Sequence, residues 1–123
     1  MRFIELAAQA KARLLQDDAE FHEKAARVLG LLRSLEVVPT RRASLRGHWH
    51  MLLSAMLVMA YEADATVDVT TRRKESLADA GLSTNFIKWL DNLVAHKLLV
   101  PANGSSKASG LLSLAMPLID QVN

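Results

Sequence analysis

The sequence predicts a mainly α-helical domain with a small β element near its C-terminal end. Helical periodicity of apolar residues runs through residues 3–36, and an almost wholly apolar segment covers 48–62. Short strand-like runs then flank a loop rich in Gly and Ser. With 123 residues, of which 50% are hydrophobic, the chain is long enough to bury a core of its own.

Residues 3–36 carry an apolar stripe that repeats at every seventh position. Asp17 and Glu20 have the spacing of a helix start, so this region is either one helix of about 50 Å or two helices joined near 16–18. A stripe of this length indicates either packing within the chain or a dimer interface, and we favour the dimer interface. Its members, the predicted interface residues, are Ala7, Leu14, Phe21, Val28 and Leu35.

The middle of the chain predicts a stop, a connector and a central helix. Pro39 disfavours helix at the residue before it. The basic segment 41–47 that follows is either a solvated loop or a contact to phosphate or to a partner. Residues 48–62 are apolar around most of the helix circumference, which is typical of a central helix. We therefore place an N-terminal dimerisation region at 1–46 and a second domain at 47–123.

The second domain continues with alternating short helices and strands. Gly81 predicts a turn between two helices, because glycine adopts the left-handed backbone that ends many helices. The first of these helices would be capped by Thr70 or Thr71 and the second by Ser83 or Thr84. The predicted elements are a strand over 66–70, helices over 72–80 and 84–96, strands over 98–100 and 111–114 around a flexible loop, and a helical turn over 117–122.

This order is that of a helix-turn-helix followed by a hairpin wing. Residues 49–114 resemble the winged-helix regulators of the MarR type in four segments: Trp49–Leu53, Leu77–Ser83, Lys88–Leu93 and Lys97–Leu99. The resemblance implies a winged helix-turn-helix fold and a homodimer. It further implies a recognition helix in the major groove of DNA and a wing against the minor groove or backbone.

Polar residues at the start of the second helix are placed to reach base edges, as major-groove recognition requires. Asn85 suits adenine, and Lys88 suits guanine or phosphate. Basic residues at the start of the preceding helix are predicted to contact backbone phosphates. The candidate DNA-binding residues are Arg72, Arg73, Lys74, Ser83, Thr84, Asn85, Lys88 and, on the wing, Lys107. We expect the core around them to contain Trp49, Leu53, Leu77, Leu82, Trp89, Leu90 and Leu93.

The distribution of charge weakens this interpretation. Residues 1–46 hold nine Lys or Arg and six Asp or Glu, a net charge of +3, whereas residues 47–123 hold six and seven, a net charge of −1. DNA binding therefore depends on local clustering of basic residues. A winged-helix module that binds proteins is the alternative function.

Other function classes find little support in the sequence. The absence of cysteine excludes a thiolate metal site, and His48 and His50 point to different sides of a helix. We expect no cofactor, no metal, no catalytic activity and no membrane segment, and we expect a cytoplasmic protein. A small apolar effector could bind in a cleft between the dimer helices and the helix around Met51–Met59.

Overall fold

The computed structural model describes residues 2–39, 47–70 and 74–123. It is mainly helical with a small three-stranded antiparallel sheet, which confirms the predicted fold class at that level. The elements in chain order are α1 (Phe3–Leu14), α2 (Ala19–Ser34), α3 (Gly47–Ala63), β1 (Thr66–Asp68), α4 (Lys74–Asp79), α5 (Asn85–Ala95), β2 (Leu99–Pro101), β3 (Leu111–Leu114) and α6 (Met116–Val122).

The N-terminal stripe lies on two helices, not one. Asp18 caps α2, because its Oδ1 accepts a hydrogen bond from the N–H of Phe21 at 3.1 Å. The predicted cap, Asp17, is therefore one residue too early. The ring of His22 connects the end of α1 to the start of α2. Its Nδ1 lies 2.7 Å from the carbonyl oxygen of Asp18, and its Nε2 lies 3.0 Å from the carbonyl oxygen of Leu14.

The apolar faces of α1 and α2 pack against α3, which is buried on nearly all sides. Ala7, Phe21 and Val28 expose 2%, 1% and 0% of their surface within the single chain. A second chain cannot contact these three predicted interface residues while this fold persists. Leu14 and Leu35 are half-buried and stay accessible.

The sheet has the strand order β1-β3-β2, with β3 antiparallel to both neighbours. Val67 and Leu112 face each other across the β1–β3 pair and are buried, so one face of the sheet covers the core. The backbone of Arg2 adds a parallel bridge to Asp68, which fastens the start of the chain to β1.

One hydrophobic core extends across the predicted domain boundary at residues 46 and 47. Phe3 of α1 meets Phe86 of α5 with ring centroids 5.7 Å apart. Asn92 of α5 donates a hydrogen bond to the carbonyl of Val37 at 3.0 Å, just after α2. Six of the seven expected core residues are buried, but Trp49 is only partly buried at the edge of the core.

Candidate nucleic-acid interface

The turn between α4 and α5 is built around Gly81. Its φ angle is +72°, a left-handed conformation that strains any residue with a side chain. The N–H of Leu82 donates to the carbonyl of Leu77 at 2.8 Å, and the N–H of Gly81 donates to that of Ala78 at 3.0 Å. These bonds end α4 as a glycine helix cap does and confirm the predicted turn.

Ser83 begins α5. Its Oγ accepts a hydrogen bond from the N–H of Asn85 at 3.2 Å, whereas the Thr84 side chain makes no capping hydrogen bond. Of the two predicted caps, Thr84 therefore holds the N-cap position and Ser83 supplies the side-chain hydrogen bond. Thr84 and Lys88 are exposed and Asn85 is half-buried, so this end of α5 presents polar side chains to the surroundings.

The opposite side of α5 is anchored in the core. Phe86, Trp89, Leu90 and Leu93 are all buried, at spacings that follow one helical face. Phe86 and Trp89 meet edge to face with centroids 5.2 Å apart. This packing fixes the rotation of α5, so the exposed position of Lys88 follows from burial of its neighbours.

The loop between β2 and β3 is folded on itself, where the sequence predicted a flexible tip. Asn103 Nδ2 donates to Ser109 Oγ at 3.0 Å, and Asn103 Oδ1 accepts from the N–H of Ser105 at 3.0 Å. Ser105 Oγ in turn accepts from the N–H of Lys107 at 3.2 Å. Side-chain hydrogen bonds to the backbone thus order a segment of small polar residues.

Asp91 joins this loop to α5. Its Oδ1 accepts a hydrogen bond from the N–H of Ala108 at 3.0 Å, and Ala108 is completely buried. Sequence reasoning missed Asp91, since a single acid within a helix carries no signal of a partner 17 residues further on. A second anchor joins the N–H of Val69 to the carbonyl of Gly110 at 2.8 Å.

The described part of the surface carries both signs of charge. Lys74, Lys88 and Lys107 are exposed, and so are Glu75 and Asp79 on α4. The predicted phosphate contacts Arg72 and Arg73 lie outside the described residues.

A cavity of about 440 Å³ opens between α1 and the start of α3. Its lining is mainly apolar, and Lys11 lies on its rim with Nζ 5.7 Å from the ring centre of Trp49. The sequence-based prediction placed an effector cleft around Met51–Met59, where Met56 is buried in the core, whereas this cavity lies at the start of α3. The residues lining the cavity are Lys11, Leu14, Leu15, His48, Trp49 and Leu52.

His50 is buried between α3 and α5. Its ring meets Trp89 edge to face at 4.9 Å, and its Nδ1 has no hydrogen-bond partner among the described residues. Burial lowers the pKa of His50 below that of a free histidine, and the nearby charges of Arg33 and His48 lower it further.

Comparisons with known proteins return no matching family model, curated protein or solved structure. Within residues 2–39, 47–70 and 74–123, no three His, Asp or Glu side chains come close enough to hold a metal ion. No helix in that part of the chain has the length and apolar character needed to cross a membrane.

Proposed function

We propose that this protein is a sequence-specific regulator that binds duplex DNA as a homodimer through a winged helix-turn-helix domain. One arrangement carries the proposal: α4, the Gly81 turn and α5 are followed by the β2–β3 hairpin, whose loop is fastened to α5. In DNA-binding proteins of this architecture the second helix enters the major groove, which admits an α-helix.

The exposed residues have distinct roles in this proposal. Asn85 and Lys88, with Ser83 and Thr84 beside them, contact base edges from the start of α5. Lys74 and Lys107 contact phosphates, as do Arg72 and Arg73 in the sequence-based prediction. A regulator built this way gains most of its affinity from phosphates and its discrimination from the bases.

Selection from a random duplex library, followed by titrations at several salt concentrations, tests the proposal. We expect Asn85→Ala to weaken binding to the selected duplex by about 1–3 kcal/mol and to leave non-specific binding nearly unchanged. Lys74→Ala should weaken both and reduce the salt slope by about one unit. Lys24→Ala on α2 is the matched control and should change neither. A wild-type protein without salt-dependent duplex binding near about 50 mM salt would contradict the proposal.

A protein-binding winged helix is the second candidate, and exposed apolar side chains favour it. Val100 on β2, Leu111 on β3 and Met116 at the start of α6 expose 51%, 47% and 61% of their surface. The exposed acidic residues Glu75 and Asp79 on α4 would also repel the phosphate backbone of DNA. This candidate becomes the first choice if duplex binding is absent.

We also propose that the cavity between α1 and α3 binds a small apolar effector with an acidic group. The leucines and Trp49 supply the apolar walls, and Lys11 supplies a positive charge at the rim.

Decanoate is a suitable probe of this chemistry. In a Trp89→Phe protein, where Trp49 is the remaining tryptophan, decanoate should change the indole fluorescence with saturation, and Leu52→Glu should abolish that change. A linear, non-saturating response would contradict an effector site.

A further inference from the structure

Two lysines lie close in sequence to the residues that join α5 to the β2–β3 loop. Lys88 precedes Asp91 by three residues, so the two share one face of α5. Asp91 holds the N–H of Ala108, and Lys107 is the residue immediately before Ala108. Both lysines are exposed, and the bond from Asp91 keeps the backbone next to Lys107 close to the face of α5 that carries Lys88.

The loop is held at more than one point, so the position of its backbone relative to α5 is well defined. The buried Ala108 methyl group and the bond from Val69 to Gly110 secure its C-terminal half. The bond from the Lys107 N–H to Ser105 Oγ secures the backbone at the lysine itself. The loop therefore loses little further conformational entropy when Lys107 binds a ligand.

We propose that Asp91 is a positioning residue that holds Lys107 beside Lys88, so that the two cations contact phosphates of one duplex together. This inference rests on the proposed function. The Asp91 side chain carries a negative charge as well as the acceptor oxygen that binds the N–H of Ala108. An Asn at this position keeps the acceptor oxygen and removes the negative charge, which separates the two effects.

Amide hydrogen exchange tests the positioning without any ligand. We expect the Ala108 amide to be protected in the wild type and in Asp91→Asn, and to exchange about fivefold faster in Asp91→Ala, the factor that a typical net hydrogen bond provides. The Leu93 amide, in the body of α5, should exchange equally in all three proteins. Unchanged Ala108 exchange in a folded Asp91→Ala protein overturns the positioning role.

Titrations with the selected duplex test the consequence for binding. Lys107→Ala should lower the magnitude of the salt slope by about one unit in the wild type and in Asp91→Asn. In the Asp91→Ala background the same change should have little effect, because the lysine is no longer held near the duplex. If Asp91 served only the stability of the fold, Lys107→Ala would change the salt slope equally in all three backgrounds.

The two proposals fail in different ways. Equal effects of Lys107→Ala in all three backgrounds overturn the positioning of Lys107 and leave DNA binding intact. A wild type that binds no duplex overturns the proposed function and the phosphate role of Lys107 together, even when Ala108 exchange responds to Asp91→Ala as expected.

Discussion

Two histidines lie in opposite environments. Both ring nitrogens of His22 face carbonyl oxygens, first of Asp18 and then of Leu14, and these acceptors raise the pKa of His22 because only the cation donates from both nitrogens. His50 is buried beside Trp89 with Nδ1 unpaired, and burial lowers its pKa. The sequence indicated neither environment, since each depends on which elements pack around the ring.

The two histidines should therefore give stability opposite dependences on pH. A free histidine titrates near about pH 6.5. Because the pKa of His50 is lowered in the folded protein, the unfolded chain takes up the proton at a higher pH than the folded chain does. The free energy of unfolding therefore decreases as the pH falls below the pKa of a free histidine. The raised pKa of His22 means that its contribution is complete below that value and is lost as the pH rises through the higher folded pKa.

Denaturant unfolding of variants between about pH 5 and pH 8 measures these contributions separately. We expect the free energy of unfolding of His50→Leu to fall less in acid than that of the wild type. We expect the free energy of unfolding of His22→Ala to fall less toward alkaline pH than that of the wild type. A His50→Leu protein that loses as much stability in acid as the wild type would show that His50 is not the group responsible.

Leu90 tests the orientation of α5 at a single residue. It exposes 1% of its surface and lies on the same helical face as Phe86 and Leu93. Leu90→Ala should lower the free energy of unfolding by about 2–5 kcal/mol, because the truncation leaves a cavity in the core. Lys88→Ala, on the exposed face of the same helix, is the control and should change stability little. A loss below about 1 kcal/mol for Leu90→Ala would contradict the packing of α5.

At the scale of elements, the sequence predicted most of what local chemistry decides. Gly81 indicated the turn, because a left-handed residue is needed there, and α3 was predicted to within a residue at each end. The cap of α2 was misplaced by one residue, since Asp17 and Asp18 are chemically equal and the hydrogen-bond geometry selects between them. The bond from Asp91 to Ala108 joins two elements, and no local pattern predicts it.

Two glycines should respond in opposite ways to the same substitution. Gly81→Ala should destabilise the protein by about 1 kcal/mol, because the residue has a φ of +72°. Gly30→Ala within α2 should stabilise it by about 0.5–1 kcal/mol, because alanine favours helix. An added Cβ meets no atom within 4 Å at either position, so the backbone alone separates the two outcomes. Thermal and denaturant unfolding would measure both, and a stabilising Gly81→Ala would contradict the described turn.

At the scale of the whole molecule, one amphipathic stripe had two interpretations that the sequence could not separate. An apolar face is equally suited to a neighbouring helix of the same chain and to a second chain. The structure buries Ala7, Phe21 and Val28 against α3, so intramolecular packing accounts for the centre of the stripe. The predicted homodimer would therefore have to use apolar groups near the ends of α1 and α2, where Leu14 and Leu35 are half-buried.

The dimer remains a prediction, and Leu15 offers the sharpest test of it. This leucine follows Leu14 and exposes 90% of its surface, so a glutamate there should not disturb the fold of one chain. We expect the wild type to sediment at twice the chain mass of 13.5 kDa at micromolar concentration, and Leu15→Glu to shift it toward the monomer. Met116→Glu, at an exposed site on α6, is the matched control and should sediment as the wild type does. If the wild type is a monomer, the homodimer prediction is wrong. Any DNA binding would then come from a single chain, with one α5 helix and one β2–β3 loop. A dimer unaffected by Leu15→Glu would place the interface away from the end of α1.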